Sequence, residues 1–429
     1  MIRKFIFCSI CIVFSINNAL AAELIAKDDV LNLRQCIEIA LKKHPGINAA
    51  TNTVKANESK IGQAQANYYP QLIFQSNYQR TGPSSSSLLS PYTYNQYSNT
   101  LNLSQTIFDF GKTFTQVEIQ SLNKESSQAD LQDVIGQVIL GVKQTYFAYS
   151  QSKMNRDVAL ETVKQFEQHY EIAKSFFETG KSSKIDVTSA EVNLSNSRIN
   201  LLKAQNALRL ARINLNNAMG TPDAPEYEIY NELKYKPYEV TIEDALQKAY
   251  NNRPDLLSIA KKKVGLEKTI DLNKKGYFPV LSGVAAYGYA GDDLSLSSED
   301  KYWNVGVTLT FPLFTGLSTK YQVAEARSNL EVLRANEDSL KQKVYLEVET
   351  AFLSLKEAEQ RISAGEIIVR QAEETVELAR GRYAAGVGSS IEITDAMITL
   401  NNAKITYITA LSDFSVAQAS LEKATGVQR

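Results

Sequence analysis

Two hydrophobic rhythms alternate along this chain. The first has a period of two. In Trp303-Asn304-Val305-Gly306-Val307-Thr308-Leu309-Thr310-Phe311 every odd position is apolar and every even one small or polar. Leu101, Leu103 and Ile107 alternate with Asn102, Ser104 and Thr106, and Leu72, Phe74 and Tyr78 with Ile73, Gln75, Asn77 and Gln79. Leu281 to Tyr289 alternates more weakly. Side chains of a strand point to opposite faces in turn, so this rhythm predicts strands over about 71–79, 99–108, 281–290 and 303–312 with one apolar face each. The second rhythm is helical. Lys112 to Glu178 and Leu317 to Ala385 contain no proline. Leu131, Ile135, Val138 and Val142 make a heptad seam, and Leu333, Leu340, Val344 and Val348 keep much the same spacing. Long helices are predicted over about 112–178 and 317–385; the first would run roughly 100 Å at 1.5 Å per residue. Shorter helices, about 185–219 and 391–425, carry Ala204, Ala207, Ala211 and Ala218 in one and Ala403, Ala410, Ala417 and Ala419 in the other, residues small enough for close helix approach.

The order of elements is written twice. Leu33 to Pro45 (LRQCIEIALKKHP) resembles Ile242 to Pro254 (IEDALQKAYNNRP), and Tyr69-Pro70 recurs as Phe278-Pro279, both at an offset of 209 (254 − 45 and 279 − 70). Gly180 pairs with Gly386 and Gly220 with Gly426 at 206 (386 − 180 and 426 − 220), so the drift falls in a loop before Phe108 and Phe314. Each copy holds a short helix, a second helix stopped by Pro70 or Pro279, two strands, a very long helix, a Gly-Ser turn and a shorter helix. The copies span 22–220 and 241–429. Between them 221–240 is Pro/Tyr-rich and reads as an extended linker.

Residues 1–21 read as a secretory signal: Arg3 and Lys4, a short apolar run from Phe5 to Phe14, then Ala19-Leu20-Ala21 as a cleavage site. Cys8 and Cys11 fall inside it and neither is placed for a lipid anchor. Cys36 alone remains, so no intrachain disulfide is expected. The formal net charge is −1, which leaves no electrostatic footprint for nucleic acid. No apolar run outside the signal approaches a transmembrane helix.

The strands have the length of tilted transmembrane strands. Tyr78, Tyr287, Tyr289 and Trp303 sit at their loop-side ends, where an aromatic girdle belongs. Alternation also fits two soluble hairpins packed on helices, but four strands cannot close around an open lumen, and an open sheet edge in lipid leaves backbone groups unpaired. Three chains would complete a 12-stranded barrel, and closed symmetry makes the homotrimer natural. The hairpin loops, Arg80 to Tyr97 and Gly291 to Tyr302 (with Asp292, Asp293, Glu299 and Asp300), would then face outside. The fold class is mainly α with β: long antiparallel helical hairpins forming a trimeric α-barrel, plus the strands of a transmembrane β-barrel. A soluble periplasmic coiled-coil scaffold is the competing reading from another class.

The hairpin tips repeat a motif, Gly180-Lys181-Ser182-Ser183-Lys184-Ile185-Asp186 and Gly386-Val387-Gly388-Ser389-Ser390-Ile391-Glu392. Glycine ends the incoming helix, serine caps the next, and the acid three residues on completes a capping box. Asp395 lies one turn deeper and is not needed for the cap; three copies about an axis would make an acidic ring that favours cations. Gly180-Lys181-Ser182 is not a phosphate loop, since Ser175 stands where glycine is required and a helix precedes it. His44 and His169 belong to no metal-spaced cluster and read as ordinary packing or surface residues. No catalytic set, metal site or cofactor is expected.

These residues resemble the TolC-type outer-membrane efflux protein family over nearly the whole mature chain. The duplication, Gln105-Thr106-Ile107-Phe108-Asp109-Phe110-Gly111 at a strand-to-helix junction, and Phe177-x-x-Gly180 with Tyr383-x-x-Gly386 at the tips carry the resemblance. It implies a homotrimeric channel-tunnel in outer-membrane lipid that exports drugs, metals or proteins, served by a periplasmic adaptor and an inner-membrane RND or ABC pump. Small-molecule efflux is the leading use and a type I protein-secretion duct the alternative. By position it implies that Asp186 and Tyr383 link the two hairpins, that Glu392 and Asp395 line an acidic constriction, and that Gly180, Ser183, Gly386, Gly388 and Ser389 meet the adaptor. Gly388 stands where the family's archetype has a basic residue that strengthens the lock. Terminal sequencing of the exported protein is expected to read Ala22 first; a chain still starting at Met1 would mean an uncleaved anchor instead.

Overall fold

The computed structural model describes residues 25–26, 28–82, 93–293 and 301–427. The signal segment, much of the first hairpin loop, and Glu299 and Asp300 lie outside the described residues. The elements are β1 (Val30–Leu31), α1 (Leu33–Lys43), α2 (Pro45–Gln65), β2 (Gln71–Thr81), β3 (Tyr94–Phe108), α3 (Lys112–Glu178), α4 (Lys184–Met219), β4 (Glu228–Ile229), α5 (Ile242–Asn252), α6 (Pro254–Lys274), β5 (Val280–Gly291), β6 (Lys301–Thr310), α7 (Ser318–Ala384) and α8 (Ser390–Ala424). The chain is mainly helical and duplicated, and α3 and α7 have 67 residues each. No described helix is long and apolar enough to cross a membrane, which says nothing of a β-barrel.

The strands form one antiparallel sheet in the order β2-β3-β5-β6. β3 begins at Tyr94 rather than near 99 and β2 reaches Thr81, so the first hairpin is longer than its apolar stretch suggested; its polar ends still pair, Arg80 with Asn95. β6 closes at Thr310, ahead of Pro312, which lacks the N–H that a ladder needs. The register joins Phe74, Leu101, Tyr287 and Trp303 in one row across all four strands, and Leu72, Leu103, Ala285 and Val305 in the next. That face is bare: Trp303 and Val305 are each 74% exposed. The other face carries Gln75 and Asn102, hydrogen-bonded at 3.1 Å, and Thr100 and Tyr302, at 2.9 Å. One face thus suits hydrocarbon and the other water.

The helices lie side by side. Along one half of the molecule the neighbours run α4-α3-α8-α7, and along the half nearer the sheet α2-α3-α6-α7. α4 therefore ends where α2 begins, and α8 where α6 begins. Gly220 and Gly426 make both abutments possible. Each has a positive φ (72°), and a Cβ on either would come within 2.8 Å of backbone, His44 Cα for Gly220 and the Asn252 carbonyl carbon for Gly426. The two copies then diverge. His44 caps α2 by accepting the Gly46 N–H on Nδ1 at 3.1 Å. Arg253, in the equivalent place, is buried and clamps three elements: Nη2 donates to Asp255 at 2.6 Å, and Nη1 to Glu347 of α7 at 2.6 Å and to the Ala424 carbonyl at 3.4 Å. Burial opposes its charge, but the two carboxylates outweigh that and hold the guanidinium protonated.

These junctions belong to a belt round the middle of the long helices, the largest apolar cluster of the described residues. The linker is extended and more tightly held than a spacer. Glu228–Ile229 pairs in parallel with Val30–Leu31. Tyr146 of α3, fully buried, donates to the Tyr230 carbonyl at 2.8 Å, and Tyr227 donates to Asn216 at 2.7 Å. Tyr146 and Tyr227 bury their rings and satisfy their hydroxyls, which is what a large amphipathic side chain offers a core.

Both strand-to-helix turns use two consecutive left-handed residues. In the first they are Phe110 (φ 55°) and Gly111 (φ 75°); in the second, Gly316 (φ 60°) and Leu317 (φ 66°), so glycine changes place between the copies. Asp109 secures the first turn, its Oδ1 accepting from the Gly111 and Lys112 N–H groups at 3.0 and 3.1 Å and its Oδ2 from the Thr113 N–H at 2.7 Å. Gly220→Ala should destabilise the protein by about 1–3 kcal/mol, because it adds backbone strain and a clash with His44. Gly62→Ala, in α2 with open space where the Cβ would go, should stabilise by about 0.5–1 kcal/mol. Thermal denaturation in detergent checks both signs.

Candidate functional site

At the end of the molecule far from the sheet, the α3–α4 and α7–α8 turns stand side by side. The Gly180 and Gly386 turns share one geometry: the Lys181 N–H donates to the Phe176 carbonyl at 2.8 Å and the Val387 N–H to the Arg382 carbonyl at 3.0 Å. Between the turns lies an open cavity of about 420 Å³, lined among others by Lys181, Ser182, Asp186, Tyr383, Gly388 and Ser390. Gly180, Ser183, Gly386 and Ser389 are exposed and Gly388 is half-buried.

The two caps are not equivalent. Asp186 turns back on its own helix start: Oδ2 accepts the Ser183 N–H at 3.1 Å, the Ser183 hydroxyl at 2.7 Å and the Ser182 hydroxyl at 3.0 Å. The Ser183 bond, with Ser182 adding to it against partial burial, holds this carboxyl below its ordinary range. Ser389 also caps, accepting the Glu392 N–H at 3.2 Å. The Glu392 carboxylate, however, does not complete a capping box. It is taken by Arg382, whose Nε lies at 3.2 Å and whose Nη2 also reaches the Val387 carbonyl at 3.3 Å. Glycine at 388 is required by this arrangement, since a Cβ there would come within 2.9 Å of both Arg382 Cβ and the Tyr383 nitrogen. A basic side chain at 388 has no room, and the guanidinium that meets Glu392 comes from Arg382, near the end of α7.

The expected Asp186–Tyr383 link is not a hydrogen bond within this chain. Three donors from Ser182 and Ser183 already occupy Asp186 Oδ2. Tyr383 is buried, its ring stacked on Phe176 with centroids 5.3 Å apart, and its hydroxyl faces Ser182 without forming a hydrogen bond of full geometry. Burial, and after it the Asp186 charge, push the phenol up. Asp395 is exposed on α8, one turn beyond Glu392.

Of the two roles the sequence left open for His169, packing or surface, the structure shows packing. It is 2% exposed, its Nε2 lies 3.1 Å from the Ser390 hydroxyl, and its ring meets Tyr383 edge-on at 5.7 Å. The signal was present in the spacing: Phe166, His169, Ala173 and Phe176 follow the apolar seam of α3, which puts the imidazole where a core residue belongs. Arg382 carried no comparable signal, because its partner depends on how the turn closes.

The aromatics of the sheet divide. Tyr78, Tyr287 and Trp303 are exposed on the apolar face. Tyr289 is not: it is 4% exposed and its hydroxyl donates to the Asp293 carbonyl at 2.6 Å, just past the end of β5. A second aromatic set, at the opposite rim, went unassigned from sequence. Phe110 stacks on Phe278 at 5.3 Å and meets Phe108 edge-on at 4.7 Å, and Leu313 and Phe314 are left bare beside them. Among the described residues no group of three His, Cys, Asp or Glu side chains is placed to hold a metal ion.

A partial barrel wall with one apolar face, joined to helical hairpins of this length, defines the class of outer-membrane channel-tunnel proteins. The sequence profile of the outer membrane efflux protein family matches residues 36–221 and 245–427, one copy each, and the chain belongs to that family. It is similar to the cation efflux system protein CusC of Escherichia coli K12, 23% identical over 404 residues, covering 92% of this chain and 86% of that protein. The alkaline protease secretion protein AprF of Pseudomonas aeruginosa is 22% identical over 416 residues, covering 92% and 85%. A crystal structure of CusC superposes with a TM-score of 0.80 at 21% identity, covering 94% of this chain and 95% of that one. The chain is an efflux channel protein of the outer membrane: its strands lie in that membrane and its helices in the periplasm.

Because Asp186 caps α4 through the Ser183 N–H while Glu392 is diverted to an exposed arginine, the two acids should differ in stability effect. Asp186→Ala should cost about 0.5–2 kcal/mol, and Glu392→Gln less than about 1 kcal/mol. Hydrogen exchange at 183–187 and 389–393 reads both: the first turn of α4 should fray and that of α8 should hardly change.

Proposed function

We propose that three copies of this chain close into one conduit, a 12-stranded β-barrel continued by an α-barrel of helical hairpins, which gives passive exit to small molecules such as drugs or toxic compounds. The observation that carries this reading is the pair of unfilled edges: β2 and β6 each have a partner on one side only, in a sheet whose outer face is apolar. In lipid those backbone groups need partners, and pairing β6 of one chain with β2 of the next supplies them all round. The helices support the same closure. α4 leaves Ile185, Val192 and Ile199 bare at seven-residue spacing, and α7 leaves Leu346, Leu353 and Leu378 bare, on the two helices at opposite ends of the side-by-side order.

The tips are the gate in this reading. Asp395 and Glu392, repeated three times about the axis, ring a constriction that favours cations, and Tyr383, stacked on Phe176 beside Asp186, restrains one hairpin against the other. A periplasmic adaptor meets the turns at Gly180, Ser183, Gly386, Gly388 and Ser389, and an RND or ABC pump in the inner membrane supplies the energy. Similarity to AprF at nearly the same level as to CusC supports protein secretion as a second use of the same conduit.

Unboiled protein from the membrane fraction should migrate as a trimer and collapse to a monomer on heating; a stable water-soluble monomer would sink the reading. In planar bilayers Asp395→Ala should weaken block by divalent cations and lower cation selectivity, and unchanged currents would remove Asp395 from the constriction. The pump that copurifies, RND or ABC, separates small-molecule efflux from protein secretion.

A further inference from the structure

We propose that His169 is a proton-operated latch: neutral, it ties α3 to α7 and α8 and holds the tip closed, and on gaining a proton it lets the hairpins part. The inference rests on the tips being the gate.

The geometry is that of a hub. The imidazole sits on α3 and is 2% exposed. Nε2 is 3.1 Å from the hydroxyl of Ser390, the first residue of α8 and itself buried. The ring edge faces Tyr383 of α7, which in turn stacks on Phe176 of α3. Nδ1 is buried with no hydrogen-bond partner among the described residues. One ring therefore joins both hairpins, and one of its two nitrogens is idle.

In the tautomer whose Nε2–H donates to Ser390, Nδ1 is bare, a proton goes to that idle nitrogen, and nothing on hand receives it. The new Nδ1–H would be a buried donor without an acceptor, and the ring a buried charge without a close partner. The charged groups that face the ring are Arg380 from α7, which repels the cation, and Asp186 from α4, which favours it. Asp186 is already engaged by Ser182 and Ser183. α8 brings the Ser390 hydroxyl at its N-terminal turn, where the helix dipole also disfavours a cation. Tyr383 is a phenol pushed up by burial and stays neutral. One turn away on its own helix lie Phe166 and Ala173, both buried and uncharged.

Burial, then Arg380, holds the His169 pKa below its ordinary value of 6.5, and Asp186 only partly opposes them. The closed tip thus binds this proton less well than an open tip with the ring in water. Closure keeps its full stability above about pH 6.5, and loses it as pH falls from there to the depressed value. Each unit of depression is a tenfold change in the closed-to-open ratio. A histidine equally buried in the open and closed tips would give no such link between acidity and the gate.

Single-channel conductance of the full-length channel in planar bilayers, with the periplasmic side taken from pH 7.5 to 5, tests this. The wild type should open several-fold more often below pH 6.5. His169→Gln, whose neutral amide still reaches Ser390, should lose that rise while migrating as the same heat-modifiable trimer. Independently of any variant, wild-type hydrogen exchange over 166–173 and 390–397, corrected for intrinsic rate, should quicken over the same pH range. A pH profile shared by wild type and His169→Gln, or flat corrected exchange, overturns the latch. In that case Asp186→Asn and Asp395→Ala would still change the currents if the tips are the gate. Were they also without effect, the gate itself would fall and the latch with it.

Discussion

An unpaired backbone group in hydrocarbon costs several kcal/mol, and this sheet has two whole edges of them. The order β2-β3-β5-β6 leaves one edge on each side, 11 and 10 residues long, in strands whose outer face carries Phe74, Trp303 and Val305 bare. Soluble proteins blunt such edges with charge, proline or a covering loop. Here the outer faces beside the edges are apolar, so solvent is no remedy and partners of the same kind are required. Assembly is then a condition for the wall to exist in a membrane at all.

The same demand runs down the helices in a milder form. α3 and α8 are flanked on both sides, while α4 and α7 each show a row of exposed aliphatics on a free flank. In water an unburied aliphatic face costs area rather than unpaired hydrogen bonds, roughly 25 cal/mol per Å². This term can be given up locally and regained, as the proposed gate requires, whereas a barrel seam in lipid cannot. The equatorial belt separates the two regimes. Tyr146, Tyr227 and the Arg253 cluster fix the abutting ends of α4 with α2 and of α8 with α6, so that motion at the tips need not reach the sheet.

How much of this was legible in the sequence follows from range. Apolar alternation in β6 and the heptad seams of α3 and α7 are local patterns, and they determine which face of each element is buried. The duplication is an internal comparison and required no structure. What escaped depends on contacts remote in sequence. β1 pairs with a strand inside the linker, a partnership two residues long with no periodicity to show it. Tyr289 continues the same strand face as Tyr287, so alternation placed both in the girdle; a backbone carbonyl in the loop beyond decided otherwise. Glu392 had the right spacing for a capping box and lost that role to Arg382, ten residues back across the turn.

The two tips show what duplication leaves free to change. Both copies keep the glycine turn and the serine cap, because those satisfy backbone groups that any helical hairpin exposes. The side chains around them have diverged. The first copy surrounds its acid with Ser182 and Ser183 and sends His169 across to Ser390; the second spends its acid on Arg382. A symmetric pair would have two equal closures and no preferred response to a proton. With the only buried imidazole of the tip on one hairpin and its hydroxyl partner on the other, a change of charge on a single ring acts on the contact between the copies. The turns that each copy folds for itself are left intact.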